Sequence, residues 1–167
     1  DDLAPSAQFL SPPIVIIGAS PLATPVPLTL FALAVPAQAQ SIGRLSANPY
    51  QQDSTSNPHS SVGSPYSPSS INNPHGTYGS PYSPNSVNNP HATDTPRLYD
   101  QQGNYRGKLS SNPYDPESIA NPHGKYGSRY SNESIKNPHG AGSPYRQDSP
   151  NNPYGQGWTI VVPDNRR

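Results

Sequence analysis

Apolar positions in the second part of the chain are sparse and recur at one spacing. Residues 63–91, GSPYSPSSINNPHGTYGSPYSPNSVNNPH, contain the unit GSPYSPxS[I/V]NNPH twice, sixteen residues apart. Aliphatic residues keep this spacing at Ile71, Val87, Ile119 and Ile135. So regular a pattern predicts one structural unit written several times. Tyrosines follow the same spacing on a second register, at Tyr50, Tyr66, Tyr82, Tyr114 and Tyr130.

Within one unit, the residues predict a short helical or 3₁₀ turn followed by an extended link. Ser83 is suited to cap such a turn, and Pro84 suits its first position. Asn89-Pro90 would end it, because a proline pushes the preceding residue out of the α region. We expect the tyrosine, aliphatic and histidine registers to point into a shared aromatic-rich seam, with the tyrosines forming most of the core. The alternative is that the tyrosines are exposed platforms that recognise sugars or proline-rich peptides.

A longer period divides the chain into two modules. RLSANPY at 44–50 returns as KLSSNPY at 108–114, a step of 64 residues. The modules span 40–95 and 96–157, and residues 158–167 form a C-terminal strand and tail. Alternating larger residues around Gln-Gln-Gly-Asn predict a β-hairpin near 97–109, with positive φ at Gly103 or Asn104.

WTIVV at 158–162 is the best strand candidate of the chain. Together with the hairpin and the turn-forming units, it indicates the fold class. We expect a mostly irregular, turn-rich repeat array of the small-β type, with short helical turns and a few short β-strands. No single element of such an array is long enough to be stable alone.

Residues 1–39 differ from the rest and predict a signal peptide or leader. They contain no Lys, Arg or His, and the apolar run 28–35 is followed by Pro36-Ala37-Gln38-Ala39. Small residues at this spacing after an apolar run are typical of a secretory cleavage site, which would leave Gln40 first. A membrane anchor and a disordered leader are the alternatives, although prolines interrupt the roughly 20 apolar residues that a spanning helix needs.

Composition narrows the class of protein. Apolar residues make up 30 % of the chain, where about 45–50 % is usual, and proline occurs 24 times and tyrosine 11 times. The formal charge of zero argues against nucleic acid as a partner, which usually requires a basic excess. The absence of cysteine excludes disulfides and thiolate metal sites.

The histidines are the sharpest chemical hypothesis in the sequence. All of them keep the sixteen-residue spacing, and neutral imidazoles bind zinc, copper and nickel. The alternative is that histidine fills a planar position that also tolerates tyrosine. Close pairs such as H-x₃-H, which metal sites usually show, do not occur. The candidate metal ligands are His59, His75, His91, His123 and His139.

The predicted hairpin and the units that follow it resemble those of a known group of proteins. DQQGNYRGKL at 100–109 has the form D-x-x-G-x-Y-x-G-x-L, and the units after it are close to YGSPYSPDSINNPYG. Over residues 41–157 the chain resembles small exported uncharacterised bacterial proteins that combine these two features. It departs from them by placing histidine where their units have tyrosine, except at Tyr154. The resemblance implies export and repeat architecture, and it carries over no functional residue.

Three functions fit these observations, and none of them is enzymatic. The sequence has no phosphate-binding glycine loop with a lysine and no nucleophile elbow, so we expect no catalytic activity and no cofactor. The first function is a structural or multivalent binding role in the bacterial periplasm or outside the cell, toward an envelope or extracellular protein or glycan, or through self-association. The alternatives are a histidine-based metal-binding or metal-buffering protein and a disordered envelope spacer. The membrane would be contacted only transiently, through the leader.

Overall fold

The computed structural model describes residues 39–163 of the chain. The predicted leader and the C-terminal tail lie outside the described residues, apart from Ala39 and Pro163. The described part is mostly non-helical and contains four short strands in one antiparallel sheet, in the order β1-β4-β2-β3. The strands are β1 (Gln40–Leu45), β2 (Arg97–Tyr99), β3 (Tyr105–Lys108) and β4 (Trp158–Val162).

The predicted hairpin and the predicted C-terminal strand are both confirmed. β2 and β3 pair antiparallel, with Tyr99 opposite Tyr105. The turn between them is closed by Gly103, whose φ is +81°, and Asn104 has no positive φ. β4 occupies an interior position in the sheet, between β1 and β2.

β1 is an element that the sequence did not predict. It pairs with β4 from Gln40, opposite Val162, to Leu45, opposite Trp158. A register shift falls at Gly43, where an added Cβ would lie 2.6 Å from a methyl group of Val62. Only glycine therefore lets β1 approach the turns that follow it.

The sheet joins the two sets of turns. The turns of 46–96 run from edge strand β1 to interior strand β2, and the turns of 109–157 run from edge strand β3 to interior strand β4. β1 pairs with β4 and β3 pairs with β2, so the strand that precedes each set of turns is hydrogen-bonded to the strand that follows the other set. β2 and β4 pair with one another, with Leu98 opposite Ile160.

The 64-residue period also appears in the backbone hydrogen bonds after each edge strand. Arg44 N–H donates to the carbonyl of Asp53 at 2.7 Å, and the Arg44 carbonyl accepts from Thr55 N–H at 2.9 Å. Lys108 makes the equivalent pair of bonds with Glu117 and Ile119, at 2.8 and 3.1 Å. Corresponding residues of the two modules thus have the same local conformation.

Between the strands, the chain follows a succession of tight turns. From Ser54 to Ser70, each turn ends where the next begins: four are closed by an N–H(i+3) to O(i) bond and one by an N–H(i+4) to O(i) bond. Their lengths add to sixteen residues, which accounts for the spacing seen in the sequence. No helix occurs within residues 39–163, and at the predicted helical turn the chain forms a tight turn closed by a single bond from Ser86 N–H to the carbonyl of Ser83. The turns close at Asn57, Ser60, Ser64, Ser67 and Ser70.

The core lies against the sheet and contains aliphatic residues and one tryptophan. Leu98, Trp158 and Ile160 are at most 1 % exposed. The aliphatic register takes part as predicted: Val87 is buried, and its equivalents pack against the same cluster from half-buried positions. These equivalents are Ile71, Ile119 and Ile135.

Candidate functional site

The tyrosines of the predicted core lie on the surface, which corrects the sequence-based expectation. Seven of the 11 tyrosines are between 86 % and 94 % exposed. We call these seven the exposed tyrosines. The other four, Tyr78, Tyr99, Tyr105 and Tyr126, are half-buried. The exposed tyrosines are Tyr50, Tyr66, Tyr82, Tyr114, Tyr130, Tyr145 and Tyr154.

Turn geometry explains this exposure. Each exposed tyrosine stands two residues after a serine or asparagine, and its backbone N–H donates to that side chain, as Tyr66 does to Ser64 Oγ at 3.3 Å. Six of the seven follow a proline, which favours the second position of a turn. The serine or asparagine side chain accepts a hydrogen bond inside the turn and so fixes the backbone, and the tyrosine side chain projects outward.

The five histidines have the same local geometry as the exposed tyrosines. The N–H of each donates to the Oδ1 of the asparagine two residues earlier, at 2.9 Å. Tyr154 makes the same bond with Asn152, so one turn accepts either aromatic residue. All five imidazoles are exposed.

The five candidate metal ligands lie in separate turns. Within the described residues 39–163, no group of three or more His, Cys, Asp and Glu side chains is arranged to hold a metal ion. The candidates His59, His75, His91, His123 and His139 occupy equivalent turns, each in a different sixteen-residue segment. Metal binding by them stays a prediction.

Two depressions flank Tyr130 on this surface. The larger, of about 810 Å³, extends from Tyr130 to His139 and Asn151. The smaller, of about 620 Å³, extends from Tyr130 to His123 and Pro122. We call them the Tyr130 grooves. Both are lined by Arg129, Tyr130 and Lys136.

The Tyr130 grooves carry positive charge. Lys136 Nζ donates to the carbonyl of Ala120 at 3.3 Å, and no ion pair within residues 39–163 includes Lys136 or Arg129. The nearby acid Glu133 is paired with Arg106 at 3.0 Å and lies 3.9 Å from Lys125 Nζ. Among residues 39–163, neither Asp nor Glu lines either groove.

A second polar cluster, in the hairpin, is fully engaged in holding the fold. The side chain of Asp100 is 0 % exposed and accepts from two backbone N–H groups, from Asn104 Nδ2 and from Arg106. Burial raises the pKa of Asp100, but the hydrogen bonds from Asn104 and Arg106 outweigh it and lower the pKa below its ordinary value. Arg106 also lies 5.9 Å from the centroid of the Trp158 ring. Neither Asp100 nor Arg106 lines either of the Tyr130 grooves.

Tyrosines pack together beside the hairpin. The rings of Tyr99 and Tyr105 are 5.6 Å apart between centroids, and those of Tyr105 and Tyr126 are 5.5 Å apart. Burial, with the charge of Glu117 adding to it, raises the pKa of Tyr105 far above its ordinary value. The three rings form an aromatic cluster beside the hairpin.

Sequence reasoning missed Arg129 and Lys136 as functional candidates. The signal that marks them is their departure from the repeated pattern. The position of Arg129 holds proline elsewhere, at Pro65, Pro81 and Pro144, and the position of Lys136 holds a neutral residue, which is asparagine at Asn72, Asn88 and Asn151, serine at Ser56 and alanine at Ala120. These two changes from a neutral to a positively charged residue are visible when the repeats are aligned.

Comparisons with known proteins do not identify a family for this chain. No family model, no curated protein and no solved structure matches the chain. Within residues 39–163, no helix has the length and apolar character needed to span a membrane.

Proposed function

We propose that this is an exported, turn-rich repeat protein that binds an extended polymer of the bacterial envelope or extracellular space through its exposed tyrosines. The observation that carries the proposal is the exposure of seven tyrosine side chains, 86–94 % each, on turns whose backbones are fixed by hydrogen bonds. A tyrosine ring is a large amphipathic surface that loses little conformational entropy on binding. Seven rings exposed to water do not contribute to a core, and they offer a large surface for contact with a ligand.

Repetition supports a multivalent mode of binding. Consecutive sixteen-residue segments are in contact, because Asn88 Nδ2 donates both to the carbonyl of Gly79 at 2.9 Å and to that of Ile71 at 3.2 Å, in the segment before. Equivalent tyrosines therefore lie on contacting segments in fixed relation to one another. Several weak contacts held in this way raise the overall affinity by their effective concentration, without any strong single site.

Export is supported by the position of the first strand. β1 begins at Gln40, the residue that cleavage after Ala39 would leave first. Removal of the predicted leader would then leave the four strands β1 to β4 complete. Sequencing of the N-terminus of the protein recovered from culture medium or periplasm tests this point: a start at Gln40 supports export, and retention in the cytoplasm with an uncut leader contradicts it.

The binding role is tested by co-sedimentation of the purified protein with two insoluble probes, peptidoglycan sacculi and cellulose. Variants replace one, three or all seven exposed tyrosines by serine, and a matched series replaces them by phenylalanine. We expect the apparent affinity to fall several-fold with each serine and to change little with phenylalanine, because the ring face makes the contact. If the seven-serine variant stays folded and sediments as the unchanged protein does, the proposal is wrong.

A further inference from the structure

We propose that the Tyr130 grooves bind an acidic polysaccharide, with Arg129 and Lys136 pairing with its carboxylates beside the Tyr130 ring. This inference rests on the proposed function, since it names the class of polymer for one part of the same surface. Tyr130 is 94 % exposed and borders both grooves, so one sugar unit on its ring would have a neighbour in each groove. Cavities of about 300–1,000 Å³ are typical of ligand sites, and both grooves fall in that range.

The charges of the grooves select an anion. Arg129 presents a planar fork of N–H donors, which matches the two oxygens of a carboxylate. Lys136 gives one donor to the carbonyl of Ala120, and an ammonium group has three, so two stay available for a ligand. Because no Asp or Glu of the described part of the chain lines the walls, no acid there competes for either cation.

The rest of the molecule favours a polymer with spaced charges over a nucleic acid. The chain has a formal net charge of zero, whereas a phosphate backbone requires a basic excess. In the first module, the equivalent positions are Pro65 and Asn72, which leaves a neutral tyrosine surface there. A polysaccharide in which acidic units lie among neutral ones would use both kinds of surface.

The molecule itself supplies the variants for a test. Arg129→Pro and Lys136→Asn install the residues found at equivalent positions. The Arg129 N–H makes no backbone hydrogen bond within residues 39–163, so proline removes none. Asparagine restores the bond between segments that Asn72, Asn88 and Asn151 make. The matched control, Arg97→Gln with Lys125→Thr, removes two positive charges that line neither groove.

Calorimetric titration with polygalacturonate and with its carboxyl-reduced form measures the effect. We expect the Arg129→Pro, Lys136→Asn variant to bind polygalacturonate about tenfold more weakly, because two water-exposed ion pairs each contribute about threefold. The control variant is expected to bind like the unchanged protein, and added salt is expected to weaken binding of the unchanged protein more than that of the groove variant.

Three outcomes would overturn the inference. The groove and control variants could lose affinity equally, the unchanged protein could bind both forms of the polymer equally, or it could bind duplex DNA or polyphosphate more tightly than polygalacturonate. In each case, tyrosine-dependent sedimentation with sacculi or cellulose could persist, and the broader proposal would then stand without this one. Loss of that tyrosine dependence would instead contradict the proposed function itself.

Discussion

Serine, a residue expected on the surface, forms the most regularly buried position of this protein. Six serines recur at spacings of fifteen, sixteen or thirty-two residues and are 0 % exposed. Each Oγ accepts from the N–H two residues ahead, and four also donate to the carbonyl eight residues back. A small hydroxyl satisfies backbone groups that no strand or helix can pair here. The serines are Ser54, Ser70, Ser86, Ser118, Ser134 and Ser149.

Replacement of one of these serines should therefore destabilise the fold although it removes a single oxygen. Ser70→Ala leaves the Val62 carbonyl without the Oγ donor at 2.8 Å and the Asn72 N–H without its acceptor at 3.0 Å. We expect a loss of about 1–3 kcal/mol in the free energy of unfolding. Urea denaturation measures it, with the exposed neighbour Ser69→Ala as the control. Equal midpoints for the two variants would contradict the role given to Ser70.

Asp100 is expected to make stability depend on acid pH. Its pKa is lowered in the folded state, so its contribution is present above the ordinary unfolded value of about 3.9 and is lost as the pH falls through the lower folded value. Asp100→Asn removes the charged partner of Arg106, at 2.7 Å, and should cost about 3 kcal/mol at pH 7. Urea midpoints from pH 7 to pH 2 should show this difference shrinking below about pH 4.

Asp148 provides the comparison for that experiment. Its pKa is also lowered, by its hydrogen bond to Arg146, but the Arg146 side chain is 47 % exposed. Solvent screening limits such a pair to about 1 kcal/mol or less. Asp148→Asn should therefore change the midpoint little at any pH, and a difference as large as that of Asp100→Asn would contradict the role of burial at Asp100.

At the scale of the element, the tight turn explains both the repeat length and its one exception. From Ser134 to Ser149, all five turns are closed by three-residue steps, because Ser143 N–H donates to the carbonyl of Gly140. In the segment before, the corresponding turn from Gly124 to Ser128 takes four residues. This single difference produces the fifteen-residue spacing of the last segment. The sequence shows the missing residue, but the turn that absorbs it is visible only in the hydrogen bonds.

Two asparagines that look alike in sequence should respond differently to the same substitution. Asn121 Oδ1 accepts from His123 N–H, and its Nδ2 donates to the carbonyl of Asp115 at 3.1 Å. Asn112 Oδ1 accepts from Tyr114 N–H in the same way, but its Nδ2 has no protein acceptor within residues 39–163. Asn121→Asp should cost about 1–3 kcal/mol through the lost donor, and Asn112→Asp about 0.5 kcal/mol or less. Thermal unfolding at pH 7 compares them, and similar losses would contradict the assigned bonds.

The sequence predicted the parts of the fold that depend on local signals. It failed for the tyrosines, whose exposure is determined by the turns that carry them and not by their hydrophobicity. The hairpin and β4 have strand residues in sequence next to turn residues, and both were found. β1 has no such signal, because Gly43 and Arg44 interrupt it and its partner lies at the far end of the chain. The exposed tyrosines were assigned to the core because aromatic residues usually bury. The preceding residue separates exposed from half-buried tyrosines better than hydrophobicity does. Six of the seven exposed tyrosines follow proline, and none of the four half-buried tyrosines does.

At the scale of the whole molecule, the shared sheet should make both modules unfold together. Val62 belongs to the first module and is 0 % exposed, and Trp158 begins the last strand and is 1 % exposed. Because β4 pairs with both β1 and β2, loss of packing in one module removes a partner of the other. Val62→Ala should cost about 2 kcal/mol and lower the midpoint of the Trp158 fluorescence transition as much as that of the circular-dichroism transition. If the modules unfold independently, Val62→Ala will instead produce an early dichroism phase and leave the fluorescence transition of Trp158, the only tryptophan, where it was.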